Sequence, residues 1–229
     1  MALILSIETS APICSVALHE NGILKGLSEV AVENSHSEVL TVLIENLLKN
    51  TFVDKSQLNA IAYSEGPGSY TGLRIGLSTA KGLCYALEIP LIAVQTLKAM
   101  ANQVLKLYPT TDNLLFCPML DARRMEVYHA IYDSNFNQIQ KTKPLIFEEG
   151  TLANFTDKKV VYFGNGAEKG QETLNYSDFH FIKDVETSAS GMGSLAFDKF
   201  QQQAFEDLAY CEPFYLKEVR ITVSKKKYL

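Results

Sequence analysis

The chain has 229 residues, 47% of them hydrophobic, and a formal net charge of −5, a length that buries a sizeable core in one domain or two small ones, with two the expectation. Its acidic balance excludes unaided electrostatic binding of nucleic acid, which needs clustered Lys and Arg to neutralise phosphates. The one basic run, Lys225–Lys227, reads as a solvated tail.

The first half reads as three strands followed by alternating helices and strands. Residues 2–8 are a mostly apolar run suited to a central strand, residues 13–20 alternate in polarity, and residues 22–32 follow the turn-forming Asn21-Gly22, so an antiparallel meander is predicted. In SHSEVLTVLIENLLKN, Ser35 and Glu38 stand at capping-box spacing and Leu40, Leu43, Ile44, Leu47 and Leu48 recur at helical spacing, which predicts one amphipathic helix. Strand 60–65 leads through Gly66-Pro67-Gly68 into a helix from about Ser69 to Glu88. Pro90 then opens strand 91–95, and a third helix follows over roughly 96–107.

Turn formers in YPTTDN (108–113) mark the predicted boundary, giving subdomains 1–108 and 109–229. Beyond it the order repeats: three strands from residue 114, a weak helix near 147–155, a strand in KVVYFGNGA, a helix near 166–175, the strand DFHFI, and a helix near 187–203 capped by Thr187 or Ser188. The expected fold is therefore α/β, a duplicated βββαβαβα unit in two subdomains, with Glu8 and Asp121 at matched ends of each first strand.

This duplication resembles the architecture of the actin, sugar kinase and heat-shock chaperone ATPase superfamily, where nucleotide occupies the cleft between halves and the first hairpin of each half holds its phosphates. IETSAPICSVAL (7–18), EGPGSYTGLRIGLSTAKGL (65–83), DARRMEVY (121–128), GNGA (164–167) and PFYLKE (213–218), in this order and across the whole chain, resemble the TsaB family of bacterial tRNA threonylcarbamoyladenosine biosynthesis proteins. The resemblance implies a non-catalytic scaffold without cofactor. It would pair with a TsaD-like catalytic homologue, and with a TsaE-like ATPase, in transfer of a threonylcarbamoyl group to adenosine 37 of tRNAs reading ANN codons. It would meet tRNA only through that complex and form a homodimer when alone. The alternative is an ATP-hydrolysing or phosphotransfer enzyme of the sugar kinase-like superfamily, with Glu8 and Asp121 around magnesium.

The residues bear on both. GPGSYTG lacks the Gly-Lys-Ser/Thr ending of a P-loop, so it reads as a tight turn with Ser69 capping the next helix. In that helix Leu73, Leu77, Ala80, Cys84 and Leu87 form the core stripe, while Gly72, Gly76, Thr79 and Leu83 form a second one. Each interior Gly costs about 0.8–1 kcal/mol against Ala and needs an offsetting contact: close packing within its own domain, or a partner helix. The resemblance favours a partner, met by Leu40, Leu43 and Leu47 of the first helix and by Gly72, Gly76, Thr79 and Leu83 of the second. His36 reads as a solvated first-turn residue, since the helical metal pair needs a second His at i+4 and that position is Leu40. No metal site or catalytic constellation is assigned. The superfamily's first hairpin usually has Asp-x-Gly-Thr/Ser; here it is Glu8-Thr9-Ser10-Ala11, without the Gly that lets backbone approach phosphate. Asp121 has Arg123 and Arg124 nearby as partners for a local ion pair. Gly164 and Gly166 at a helix start stand as candidates for an adenosine or phosphate contact or as a tight turn. Cys14, Cys84, Cys117 and Cys211 are widely spaced and three sit in apolar runs, which suggests a reducing cytosol. Glu8 interrupts the first apolar run and nothing approaches a membrane span, so a soluble, cytoplasmic protein is expected.

Overall fold

Residues Leu3–Glu8 are buried without exception, as a strand must be when both its faces and both its edges are covered. The computed structural model describes residues 1–31, 36–108, 110–111 and 113–217. This first strand, β1, lies antiparallel to β2 (Ile13–Glu20) and parallel to β4 (Ala60–Gly66). β3 (Ile23–Ala31) and β5 (Leu91–Gln95) complete a five-stranded sheet in the order β3-β2-β1-β4-β5. β6 (Leu114–Asp121), β7 (Glu126–Asp133), β8 (Gln138–Ile146), β9 (Lys159–Phe163) and β10 (Phe179–Ile182) build a second sheet, β10-β9-β6-β7-β8. The two orders are the same pattern, with a meander on one side of the central strand and parallel strands on the other, as the sequence repeat predicts.

Alternation along β1 separates the layers. Leu5 and Ile7 face the helices α1 (His36–Asn50) and α2 (Tyr70–Leu87), in a core with Leu40, Leu43, Leu47, Leu77 and Cys84. Ile4 faces the other way, into a core with Ala62, Ile92, Ala99, Ala189, Met192 and Ala196. α3 (Thr96–Leu105) sends Ala99 into that layer and Leu97, Met100, Ala101 and Val104 against Phe116, Tyr132 and Phe163 of the second sheet. One helix thus joins the two halves, because its apolar residues wrap more than one face.

The helices of the second half differ from the sequence expectation. The helices expected near 147–155 and 166–175 are only short 3₁₀ turns, Ala153–Phe155 and Ala167–Gly170. Gly150 and Leu152 hold left-handed backbone (φ 80° and 60°), and Gly170 packs against Phe147 and Leu174, so filling the core wins over helical propensity. The helix expected over 187–203 starts as a 3₁₀ turn capped by Ser188, whose hydroxyl accepts the Ser190 N–H at 3.1 Å, and continues as α4 (Gly193–Gln201). Of the residues expected in subdomain 109–229, Ala189, Met192 and Ala196 pack on the first sheet. The capping box assigned to Ser35 and the lysine run 225–227 lie outside the described residues.

From α4 the chain runs back along the first half. Glu206 bridges Leu91, and the Phe214 N–H donates to the Glu65 carbonyl at 2.6 Å. Arg74 Nε donates to the Tyr215 hydroxyl at 3.2 Å, and Lys217 forms an ion pair with Glu126 on β7. Residues 206–217 therefore tie the first half to the second.

Candidate functional site

The carboxyl ends of β1 and β6 meet across a cleft of about 1600 Å³. Ser10–Pro12, His36 and Pro67–Gly72 line one side, Leu120–Arg124, Glu126, Tyr128 and Asn165 the other, and Phe214–Lys217 a third.

The first wall is locked from within. Glu8 is 1% exposed and does not line the cleft; its Oε1 accepts the Ser10 N–H at 2.6 Å and the Ser64 hydroxyl at 3.0 Å. Burial pushes its carboxyl above the usual carboxylate range, against hydrogen bonds from Ser10 and Ser64 that favour the charged form. Sealed in this way, Glu8 has the geometry of a turn brace, not of the magnesium ligand weighed from the sequence. Ser69 caps α2 by accepting the Gly72 N–H, and its own N–H donates to the Ser10 carbonyl at 2.6 Å. The Thr9 hydroxyl donates to the Gly72 carbonyl at 2.8 Å.

The glycine stripe belongs to this lock. A Cβ on Gly72 would land on the Thr9 carbonyl oxygen, and one on Gly76 on Thr9 Oγ1. Both glycines are buried inside the chain, which corrects the reading that a partner helix approaches over them: they let α2 press on the β1–β2 turn. Leu40, Leu43 and Leu47 are likewise core residues, 1%, 7% and 3% exposed. Thr79 and Leu83 are half-buried, and Leu83 packs on the same core. His36 is also buried, with Nε2 2.9 Å from the Ala11 carbonyl, where a solvated residue was expected.

The exposed side of these helices is different. α1 packs beside α2, and together they turn Thr41, Val42, Glu45, Ser78, Gly82, Tyr85 and Ala86 outward. Val42 is 52% and Tyr85 83% exposed, and among the described residues nothing beyond its chain neighbours and the adjoining helix backbone lies within 4 Å of where a Gly82 Cβ would sit. Gly82 went unselected in the sequence, although a third glycine inside one helix is the signal that marks it.

On the second wall, Asp121 pairs with Lys169, and its Oδ1 also accepts the Arg123 N–H at 2.6 Å. The Arg123 or Arg124 side-chain pairing expected for Asp121 is replaced by this distant lysine, because both arginines sit in left-handed backbone (φ 70° and 53°) in a tight turn. Gly164 and Gly166 pack against the backbone of Met119, Leu120 and Asp121. Between them only Asn165 lines the cleft, its Oδ1 accepting the Asp121 N–H at 2.9 Å. Among the described residues no group of three His, Cys, Asp or Glu side chains is placed to hold a metal, and no helix is long and apolar enough to cross a membrane.

The sequence model of the family described as TsaD, tRNA N6-adenosine threonylcarbamoyltransferase, matches residues 26–227. A tRNA threonylcarbamoyladenosine biosynthesis protein TsaB of Buchnera aphidicola subsp. Baizongia pistaciae is 33% identical over 175 residues, 72% of this chain and 76% of the relative. The chain belongs to the TsaB family. A second TsaB, of Buchnera aphidicola subsp. Acyrthosiphon pisum, is 36% identical over 137 residues, 60% of each chain, so the match spans less than two thirds of that relative's length. Among solved structures, YeaZ from Pseudomonas aeruginosa superposes with a TM-score of 0.79 at 23% identity, covering 94% of this chain and all of the other. The activator of 2-hydroxyisocaproyl-CoA dehydratase from Clostridium difficile, with bound ADPNP, shares the architecture at a TM-score of 0.51 and 10% identity over 90% of this chain and 98% of that one. The two sheets of identical order are thus the duplicated actin-like fold, and in this TsaB-family chain the carboxylates of its cleft are sealed or already paired.

Proposed function

We propose that this chain is a non-catalytic subunit in the formation of threonylcarbamoyladenosine on tRNA, docking a TsaD-like homologue through the exposed face of α1 and α2. Gly82 carries this reading. An interior helical glycine costs about 0.8–1 kcal/mol against alanine. Thr9 accounts for that cost at Gly72 and Gly76, whereas nothing among the described residues accounts for it at Gly82. Ser78, Gly82, Tyr85 and Ala86 recur at helical spacing, so a partner helix approaches closely over the small residues. Tyr85 and Val42 supply apolar area to bury, the kind of anchor that dominates interface energies.

The process comes from the names of the relatives, and the match to the transferase family makes a partner of like fold the natural occupant. A chemical role is disfavoured because Glu8 is sealed and Asp121 is neutralised by Lys169. A TsaE-like ATPase as third component, tRNA met only through the complex, a homodimer in the partner's absence and a cytoplasmic location complete the reading. The test is reconstitution with a TsaD-like chain, a TsaE-like ATPase and unmodified tRNA, followed by mass analysis of nucleosides. Threonylcarbamoyladenosine should appear only when this chain is present; equal yield without it overturns the proposal.

A further inference from the structure

Residues 206–217 do more than join the two halves: they form a strap laid along one flank of α2. The Tyr215 ring lies 4.9 Å from that of Tyr70, its hydroxyl takes the Arg74 Nε–H at 3.2 Å, and Lys81 Nζ reaches the Ala209 carbonyl at 3.5 Å. Tyr70, Arg74 and Lys81 fall on one side of a helix with 3.6 residues per turn. Ile75, Thr79 and Leu83 fall on the other, the side of α1, and are half-buried. The exposed stripe through Ser78 and Gly82 therefore runs between α1 and the strap. Gly66 lets the strap come this close, since a Cβ there would meet the Phe214 carbonyl oxygen at 2.6 Å.

The strap holds a tyrosine up beside that stripe. Tyr210 is 84% exposed, as open as Tyr85 at 83%, which lies one turn beyond Lys81 on α2. The backbone of Tyr210 is fixed on both sides. Asp207 Oδ1 accepts the N–H groups of Ala209 and Tyr210 at 2.7 and 3.1 Å, and Cys211 Sγ lies 3.0 Å from the Tyr63 hydroxyl beneath. A large aromatic side chain left in water on a braced turn suits a partner, because it offers area to bury and binding has little backbone freedom left to remove. We infer that the strap is a third element of the docking face: a helix of the partner lies over Ser78 and Gly82 between α1 and the strap, and Tyr210 closes on it together with Tyr85. This rests on the proposed docking over α1 and α2, and the continuity of the strap with that face assigns Tyr210 to the same TsaD-like partner.

Isothermal titration of the full chain against that partner, with hydrogen exchange on the complex, tests this. Tyr210→Ala should weaken association about tenfold or more, in the range of an interface tyrosine. The free variant should melt at the wild-type temperature, since the side chain it loses is exposed. The Tyr210, Cys211 and Glu212 amides should exchange more slowly in the complex than in the free chain. Wild-type affinity from Tyr210→Ala, or unchanged exchange at these amides, in a system where Gly82→Leu still blocks association, overturns the role of the strap and leaves docking over α1 and α2 standing. A lowered melting temperature of the free Tyr210→Ala chain overturns it too, because Tyr210 would then serve the fold. Association that survives Gly82→Leu removes the docking reading itself and this inference with it.

Discussion

Gly72→Ala probes the contact between α2 and the β1–β2 turn most severely. The new methyl would occupy the position of the Thr9 carbonyl oxygen, with the Thr9 carbonyl carbon 3.2 Å away. That peptide has little room to retreat: the Ser10 N–H is bound to Glu8 at 2.6 Å and the Ser10 carbonyl to the Ser69 N–H at 2.6 Å. Overpacking costs about 1–3 kcal/mol, with a backbone neighbour at the upper end, and the helix gain from Gly to Ala returns about 1 kcal/mol. The net loss is about 2 kcal/mol, or roughly 4–8 °C in melting temperature for a chain of this size. At Gly76 the neighbour is Thr9 Oγ1, which must rotate and give up its 2.8 Å bond to the Gly72 carbonyl, so the loss is smaller and Thr9→Ala should relieve it. At Gly82, with open space, alanine should stabilise by about 0.8–1 kcal/mol. The assay is urea and thermal unfolding at concentrations where sizing shows a single chain. A Gly72→Ala variant as stable as wild type, or a Gly76→Ala defect that persists in a Thr9→Ala background, would refute the packing argument.

Burial lowers His19 and His129 from 6.5 to about 4, so the unfolded chain takes up their protons first. Their contribution to stability is full above pH 6.5 and is lost as pH falls toward 4, at about 1.4 kcal/mol per pH unit for each. Urea unfolding of His19→Gln at pH 7 and pH 5 should show a shallower fall than wild type, and an unchanged fall contradicts this. Glu8 has the opposite sign: its raised folded value makes its contribution present at low pH and lost as pH rises through that value. Glu8→Gln keeps an acceptor for the Ser10 N–H and Ser64 hydroxyl without a charge, so its stability should gain on wild type with rising pH; matching pH profiles would count against a buried neutral carboxyl. Glu8→Ala leaves both donors unpaired and should cost about 1–3 kcal/mol. With magnesium, the isolated chain should hydrolyse ATP at background, and a turnover of about 1 s⁻¹ or faster, abolished by Asp121→Asn, would restore the phosphotransfer alternative.

Local pattern carried much of this molecule. The Asn21-Gly22 hairpin, the leucine spacing of α1, the Ser69 cap and the repeated order of strands were all legible, since each depends on neighbours in sequence. Gly72 and Gly76 were legible as glycines that need a contact but not as to which one: Thr9 lies 63 residues away from Gly72 along the chain, and only the pairing of β1 with β4 brings them together. The pairing of Asp121 with Lys169 was hidden for the same reason, as was the return of residues 189–201 to the first sheet. The helices expected near 147–155 and 166–175 failed where left-handed residues and a glycine–phenylalanine contact outweigh propensity. At Glu8 the residue type suggested metal chemistry, and burial reverses that, which no spacing rule detects.

The central claim is that α1 and α2 dock a TsaD-like partner over Gly82. It is tested most directly by Gly82→Leu, with isothermal titration against that partner and urea unfolding of the free chain. Leucine fills space that is open in the single chain, so the free variant should be as stable as wild type or more stable by up to about 1 kcal/mol. Association should weaken at least a hundredfold, the size of a lost interface hot spot. Wild-type affinity from a folded Gly82→Leu chain would contradict the account and move the interface elsewhere.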